Sequence, residues 1–374
     1  MRASLQDEVF SARPAARVRV LDTRPMPQAP LPIPVRSDRA REARWPLLLR
    51  RWWTWALPTV VFGAVAKRRW DQMDALVPGV DAGVWLDLGR ALFGGEGRVT
   101  AGVYPPLVPF LLHVGQTLVG PLPAARVLAA ASLFAVMVAA YAVASSGLHR
   151  LTALAVALST GLASSVIEPT AYGGYPQNMA FALLVLAAFA LAGYLSEGQL
   201  RTQAWAAAAL SAAALTHHAY FALACLALAL VWLGWLSTRP PRSTVLPRTA
   251  GAAVVVLVAL LCFAPILGGL ARAGYRPPFG GDRAGHVGAL TYALREAPRI
   301  WLFVLLLGVV GIAATSRRRD RLWLVSAALM AASALPFALV GEPRLVPPFI
   351  LGACLGVGLA LERVRSRLTN PRAR

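Results

Sequence analysis

Lysine is almost missing from this chain: of 37 basic residues, Lys67 is the one lysine and the rest are arginine. Charge of either sign is scarce at 14%, against 57% hydrophobic residues, which excludes an ordinary soluble domain and indicates a polytopic membrane protein. Segments of alternating hydrophobicity about ten residues long are also missing. Their absence excludes a transmembrane barrel and leaves helices, whose backbone groups satisfy one another inside the bilayer. Only three cysteines occur, Cys225, Cys262 and Cys354. All lie within apolar segments and without metal-ligand spacing, so they read as core packing and not as a disulfide or metal site. A signal peptide is not expected, because the stretch before the first apolar run is far too long for a charged n-region.

What is present is a series of apolar runs, at residues 52–66, 122–146, 151–167, 175–195, 204–215, 220–236, 249–270, 300–315, 322–340 and 345–361. Several fall short of the ~20 residues that a span prefers. Residues 1–45 are rich in proline and arginine with little apolar periodicity, and read as a disordered cytoplasmic tail. Residues 46–362 then form the transmembrane domain, and 363–374 a basic cytoplasmic tail. The net charge of +20 would suggest nucleic acid in a soluble protein. Here the bases flank membrane segments, so membrane lipids and not nucleic acid are the expected contacts.

Topology turns on residues 104–120, "YPPLVPFLLHVGQTLVG". If this segment lies flat, intracellular segments hold 25 of the 37 bases; if it crosses, "TSRRRDR" and the arginine-rich C-terminus move outside, against the positive-inside rule. Pro105, Pro106 and Pro109 discourage a long straight helix, and His113, Gln116 and Thr117 share one face, as suits an interfacial helix. The expected fold class is therefore all-α: a transmembrane helix bundle of about ten spans. Outer juxtamembrane helices occupy the first external loop, residues 67–121, and a second long external loop covers 271–299. Both termini are expected in the cytoplasm and the protein in a bacterial cytoplasmic membrane. No acid falls clearly at mid-membrane and no internal repeat is evident, which disfavours an ion-coupled transporter.

Most of the chemistry-bearing acids are then external, and two lie on one short helix, "PGVDAGVWLDLGRALFGG" at 78–95. At 100° per residue Asp81 shares a stripe with Trp85, Leu88 and Leu92, flanked by Val84, whereas Asp87 falls on the polar side with Arg90 at i+3. Asp87 reads as a solvated surface charge. Asp81 follows Pro78-Gly79, where a carboxylate caps free N–H groups. Spacing alone leaves cap and catalyst both open for it.

The order "PGVDAGVWLDLGRALFGG", "YPPLVPF", "AARVLAAA" resembles the first outer loop of the GT-C superfamily of integral-membrane glycosyltransferases, which use polyprenyl-phosphate sugars. "YGGYPQNMAFALLVLA" (172–187), "ALTHHAYFAL" (214–223) and "GEPRLVPPFILGACLGVGLALER" (341–363) resemble later segments of bacterial and archaeal members. The resemblance implies transfer of a sugar from a polyprenyl-phosphate donor to an acceptor on the outer side of the cytoplasmic membrane, in building polysaccharide, lipid or protein glycans of the cell envelope. It also implies that Asp81 acts as general base or helps to hold a metal. A divalent cation is the one cofactor left open, since no second acid of the first loop matches Asp81 and Glu168 is the next candidate. At 374 residues the chain is short for the superfamily, so partner proteins of envelope biosynthesis are an expectation. A flippase or carrier for lipid-linked sugars, and a non-catalytic assembly partner, are the alternatives.

The expected substrate-binding residues are Arg126, Glu168, Tyr172, Tyr175, His217, His218, Tyr275, Arg276 and Arg344. Arginine's planar fork suits phosphate, and bases outside the membrane run against the charge rule; anionic headgroups and snorkelling explain the same residues. Tyr172 and Tyr175 suit sugar stacking or an interfacial anchor. Adjacent helical histidines diverge by about 100°, so His217 and His218 are not expected to bind one metal ion.

Overall fold

A computed structural model describes residues 44–73, 80–94, 104–272, 299–316, 320–340 and 346–369. The chain divides into two units, residues 1–50 and 51–374, and all packing discussed below lies within the second. Among the described residues every regular element is an α-helix.

The described residues form thirteen helices: α1 (Arg44–Gln72), α2 (Val80–Phe93), α3 (Leu107–Val119), α4 (Pro121–Ala144), α5 (Arg150–Gly161), α6 (Ser164–Tyr172), α7 (Tyr175–Glu197), α8 (Leu200–Ala214), α9 (His218–Leu236), α10 (Arg242–Arg272), α11 (Arg299–Thr315), α12 (Arg321–Val340) and α13 (Val346–Thr369). Five of them, α4, α7, α9, α10 and α13, are long and apolar enough to cross a membrane. A sixth span forms if α5 and α6 are taken together. The protein is thus a polytopic helical membrane bundle.

Local chemistry explains the differences from the apolar runs. Residues 151–167 read as one span, yet the chain breaks after Gly161 and bends by 47° into a second short helix. Leu162 closes α5 with ψ near 0°, and Ala163 enters α6 in an extended conformation. Helix α1 starts at Arg44, just inside the stretch expected to be tail, and α10 reaches 31 residues despite Pro247 and Pro265. Helix α3 has 13 residues, about 20 Å at 1.5 Å per residue, well short of a ~30 Å hydrocarbon core. Gly120 separates it from α4 with φ of +86°, and Pro121 opens α4 in its first turn.

The main core is built from small and aliphatic residues of α4, α5, α7, α8, α9, α12 and α13. Helix α7 is buried along nearly its whole length, which its all-round hydrophobicity requires. Two arginines hold its C-terminal end. Arg248 donates to the carbonyls of Leu195 and Ser196, and Arg321 Nε donates to Phe189 O at 2.9 Å while its guanidinium lies over the Phe189 ring. Cations there complement the helix dipole. A second, smaller core gathers Ala82 and Leu86 of α2, Val108 and Leu112 of α3, Ala125 and Ala129 of α4, and Tyr175 of α7. Helices α2 and α3 therefore pack together on the starts of α4 and α7.

Candidate active site

The site is built where α2 meets the turn between α6 and α7. Asp81 is the second residue of α2 and half-buried, in the first turn, where the helix dipole favours a carboxylate. The buried face of α2 runs through Ala82, Leu86 and Gly89, rotated from the stripe that hydrophobicity indicates. Val84 is 55% exposed. Small residues explain the rotation: a Cβ on Gly89 would stand 2.6 Å from Pro109 O, so only a bare backbone lets α2 approach α3 this closely.

Asp81 rests against Gly173. That glycine closes α6 with φ of +94°, and a Cβ there would meet Ala82 N at 2.7 Å and Asp81 Cβ at 3.0 Å. Trp85, one turn along α2, donates from Nε1 to Gly173 O at 2.8 Å. Beside them Tyr175 is fully buried, its hydroxyl has no hydrogen-bond partner among the described residues, and the Asp81 charge acts on it. Asn178 Nδ2 donates to Val166 O at 2.8 Å and binds the start of α7 to α6. Arg69 Nε donates to Thr170 Oγ1 at 2.8 Å from the end of α1, and partial burial lowers its pKa from the ordinary value.

An aromatic group continues the site away from Asp81. The Tyr104 ring lies 4.4 Å from the Trp85 ring and turns its edge to His217 and His218, at 6.3 and 5.9 Å. Leu107 N donates to Leu215 O at 2.8 Å, tying the start of α3 to the turn that carries the histidines. The two imidazoles stack, 5.1 Å apart and 17° from parallel. This corrects the expectation that they diverge. His217 caps α9 in an extended conformation, φ −159° and ψ 117°, so the helical 100° does not apply between them.

Of the expected binding residues, Tyr175 thus lies beside Asp81, and His217 and His218 adjoin Tyr104, whose ring meets Trp85. Arg126 stands in the second turn of α4 with its Nε buried and without a partner among the described residues, a donor available to an anion. Glu168 is exposed on α6. Tyr275, Arg276 and Arg344 lie outside the described residues, as does the side chain of Tyr172. Among the described residues no three His, Cys, Asp or Glu side chains form a group able to hold a metal ion. Asp87 behaves as a surface charge, 77% exposed and 3.7 Å from Arg90. Arg90 also donates to Gln116 at 3.1 Å, which uses the polar face of α3 to join α2 and α3.

Helices α2 and α3 thus pack on the starts of α4 and α7, with Asp81 in the first turn of α2. The structure is similar to that of ArnT from Cupriavidus metallidurans, solved bound to undecaprenyl phosphate, with a TM-score of 0.53 and 20% identity. The likeness covers 81% of this chain and 60% of that one, so this chain spans less than two thirds of that neighbour's length. At this identity it is the fold that is shared. No protein-family model matches the sequence, and neither does a curated protein.

Proposed function

We propose that the protein is a membrane-embedded glycosyltransferase that moves a sugar from a polyprenyl-phosphate donor to an acceptor hydroxyl at the outer face of a bacterial cytoplasmic membrane, in assembly of the cell envelope. The observation that supports this best is the seating of Asp81. In a GT-C type fold, the aspartate of the first outer helix is half-buried against the Gly173 turn and beside a wholly buried tyrosine hydroxyl. The likeness to a structure holding undecaprenyl phosphate supports the class of donor.

In the proposed reaction Asp81 takes the proton of the acceptor O–H, and the acceptor oxygen attacks the anomeric carbon on the side opposite the phosphate. The bond from that carbon to the phosphate oxygen breaks, and its electron pair leaves with the polyprenyl phosphate, so the anomeric configuration inverts. A hydroxyl is a poor nucleophile until a placed carboxylate accepts its proton, and the charge gathering on phosphate needs fixed donors. The buried Nε of Arg126 and the stacked His217 and His218 are the assigned donors, with Arg276 and Arg344 completing the cationic set. Tyr175, Tyr172, Tyr275 and Glu168 are assigned to the sugar and acceptor. The His, Cys, Asp and Glu side chains among the described residues form no group of three that fits a metal centre.

The proposed topology keeps about ten spans within residues 46–362, both termini in the cytoplasm, and α3 flat at the outer interface. Envelope-biosynthesis proteins are the proposed partners for the acceptor side. Asp81→Asn keeps the size of the side chain and removes the base; transfer from a polyprenyl-phosphate sugar by the reconstituted protein should fall by about 10²- to 10⁴-fold. Full activity in that variant overturns the assignment, and comparing lipid-linked and surface glycans with and without the gene identifies the sugar moved.

A further inference from the structure

The Gly-Gly turn at 173–174 takes no part in the chemistry above, yet several unrelated contacts converge on it. Gly173 has φ of +94°, a backbone region that L side chains rarely adopt. Its α-carbon faces the backbone of α2 so closely that a Cβ would meet Ala82 N at 2.7 Å and Asp81 Cβ at 3.0 Å. Its carbonyl accepts the indole N–H of Trp85 at 2.8 Å. The first turn of α2 therefore touches Gly173 on one side, and the next turn is tied back to the same residue.

The turn itself is held firmly. Gly174 N donates to Pro169 O at 2.6 Å, Asn178 staples α7 to Val166, and Arg69 grips Thr170. The Trp85 ring is backed by Tyr104 at 4.4 Å. We infer that Gly173 and Trp85 are positioning residues that set where the Asp81 carboxylate stands. The inference rests on Asp81 being the base of the proposed transfer, because only then does its placement matter to a rate. Capping of α2 needs no such fit, since a carboxylate satisfies nearby N–H groups from its own turn; a seat formed by a left-handed glycine and an indole hydrogen bond fixes the whole helix end against α7.

The test uses the full-length chain in membrane vesicles and a water-soluble carbodiimide, with labelling of Asp81 measured by mass spectrometry against Asp87, which is 77% exposed, as internal reference. Gly173→Ala forces a side chain into the seat; Trp85→Phe keeps an aromatic ring and deletes only the N–H. Both should raise the Asp81 to Asp87 labelling ratio several-fold, and the rate of sugar transfer should fall by up to about 10²-fold, the cost of a misplacement near 1 Å. On an Asp81→Asn background neither should lower the residual rate further. An unchanged labelling ratio in both variants, or a full further loss on the Asp81→Asn background, overturns the inference. If Gly173→Ala fails to fold, Trp85→Phe decides. Full transfer by Asp81→Asn alone overturns the catalytic role of Asp81, while the labelling ratio still reports on the seat.

Discussion

Two aspartates six positions apart on one short helix end in opposite surroundings. Asp87 meets water and Arg90 at 3.7 Å, an exposed pair worth a few tenths of a kcal/mol at most. Asp87→Asn should therefore leave transfer within twofold of wild type and the thermal midpoint essentially unmoved, in contrast to Asp81→Asn. Helical spacing was enough to separate these two residues. It could not show what Asp81 touches, because Gly173 is some ninety positions away and its role depends on a positive φ and on having no Cβ. Arg126 is legible from its motif, and the structure adds that its Nε is buried and unpartnered among the described residues. A hydrogen bond to a charged group contributes about 1.5–3 kcal/mol. Arg126→Gln should then weaken binding of undecaprenyl phosphate by about tenfold or more, measured by native mass spectrometry of the purified protein.

Helix α2 shows how an element can be recognised while its orientation is misjudged. Its existence, length and closing Gly94-Gly95 follow from sequence pattern. The stripe Asp81–Trp85–Leu88–Leu92 holds the larger apolar side chains, but the helix buries Ala82, Leu86 and Gly89 instead. Close approach to α3 favours small residues over large ones, and hydrophobic periodicity does not weigh closeness. Gly89→Val places a branched side chain where even a Cβ would stand 2.6 Å from Pro109 O. Overpacking of this kind costs about 1–3 kcal/mol. The variant should lower the thermal midpoint and separate α2 from α3, measured by thermal unfolding of the purified protein and by cross-linking of cysteines placed at Arg90 and Gln116. The stacked histidines teach the same lesson at the start of α9: adjacent positions diverge only while both are helical, and His217 is extended.

For the whole molecule, charge distribution leads to a topology, and helix length supports it at one point. Helix α3 has 13 residues and is packed on α2 and α4, too short to cross unaided. A reporter fused after Gly120 should be active outside and one after Ser316 inside; an inside location at Gly120 would reverse every later loop. Composition and apolar runs by themselves determined that this is a polytopic helical membrane protein, because a bilayer leaves few ways to satisfy a backbone. The order of degenerate motifs carried the resemblance to GT-C enzymes, and the shared fold with ArnT came from the tertiary structure. Tertiary structure alone decided that α5 and α6 form a bent pair, that a second core joins α2 and α3 to Tyr175, that Gly173 and Trp85 seat Asp81, and that Tyr104 links Trp85 to the stacked histidines. Those contacts join residues from five separate parts of the chain, and each depends on backbone angles and close approaches that hydrophobic periodicity does not encode.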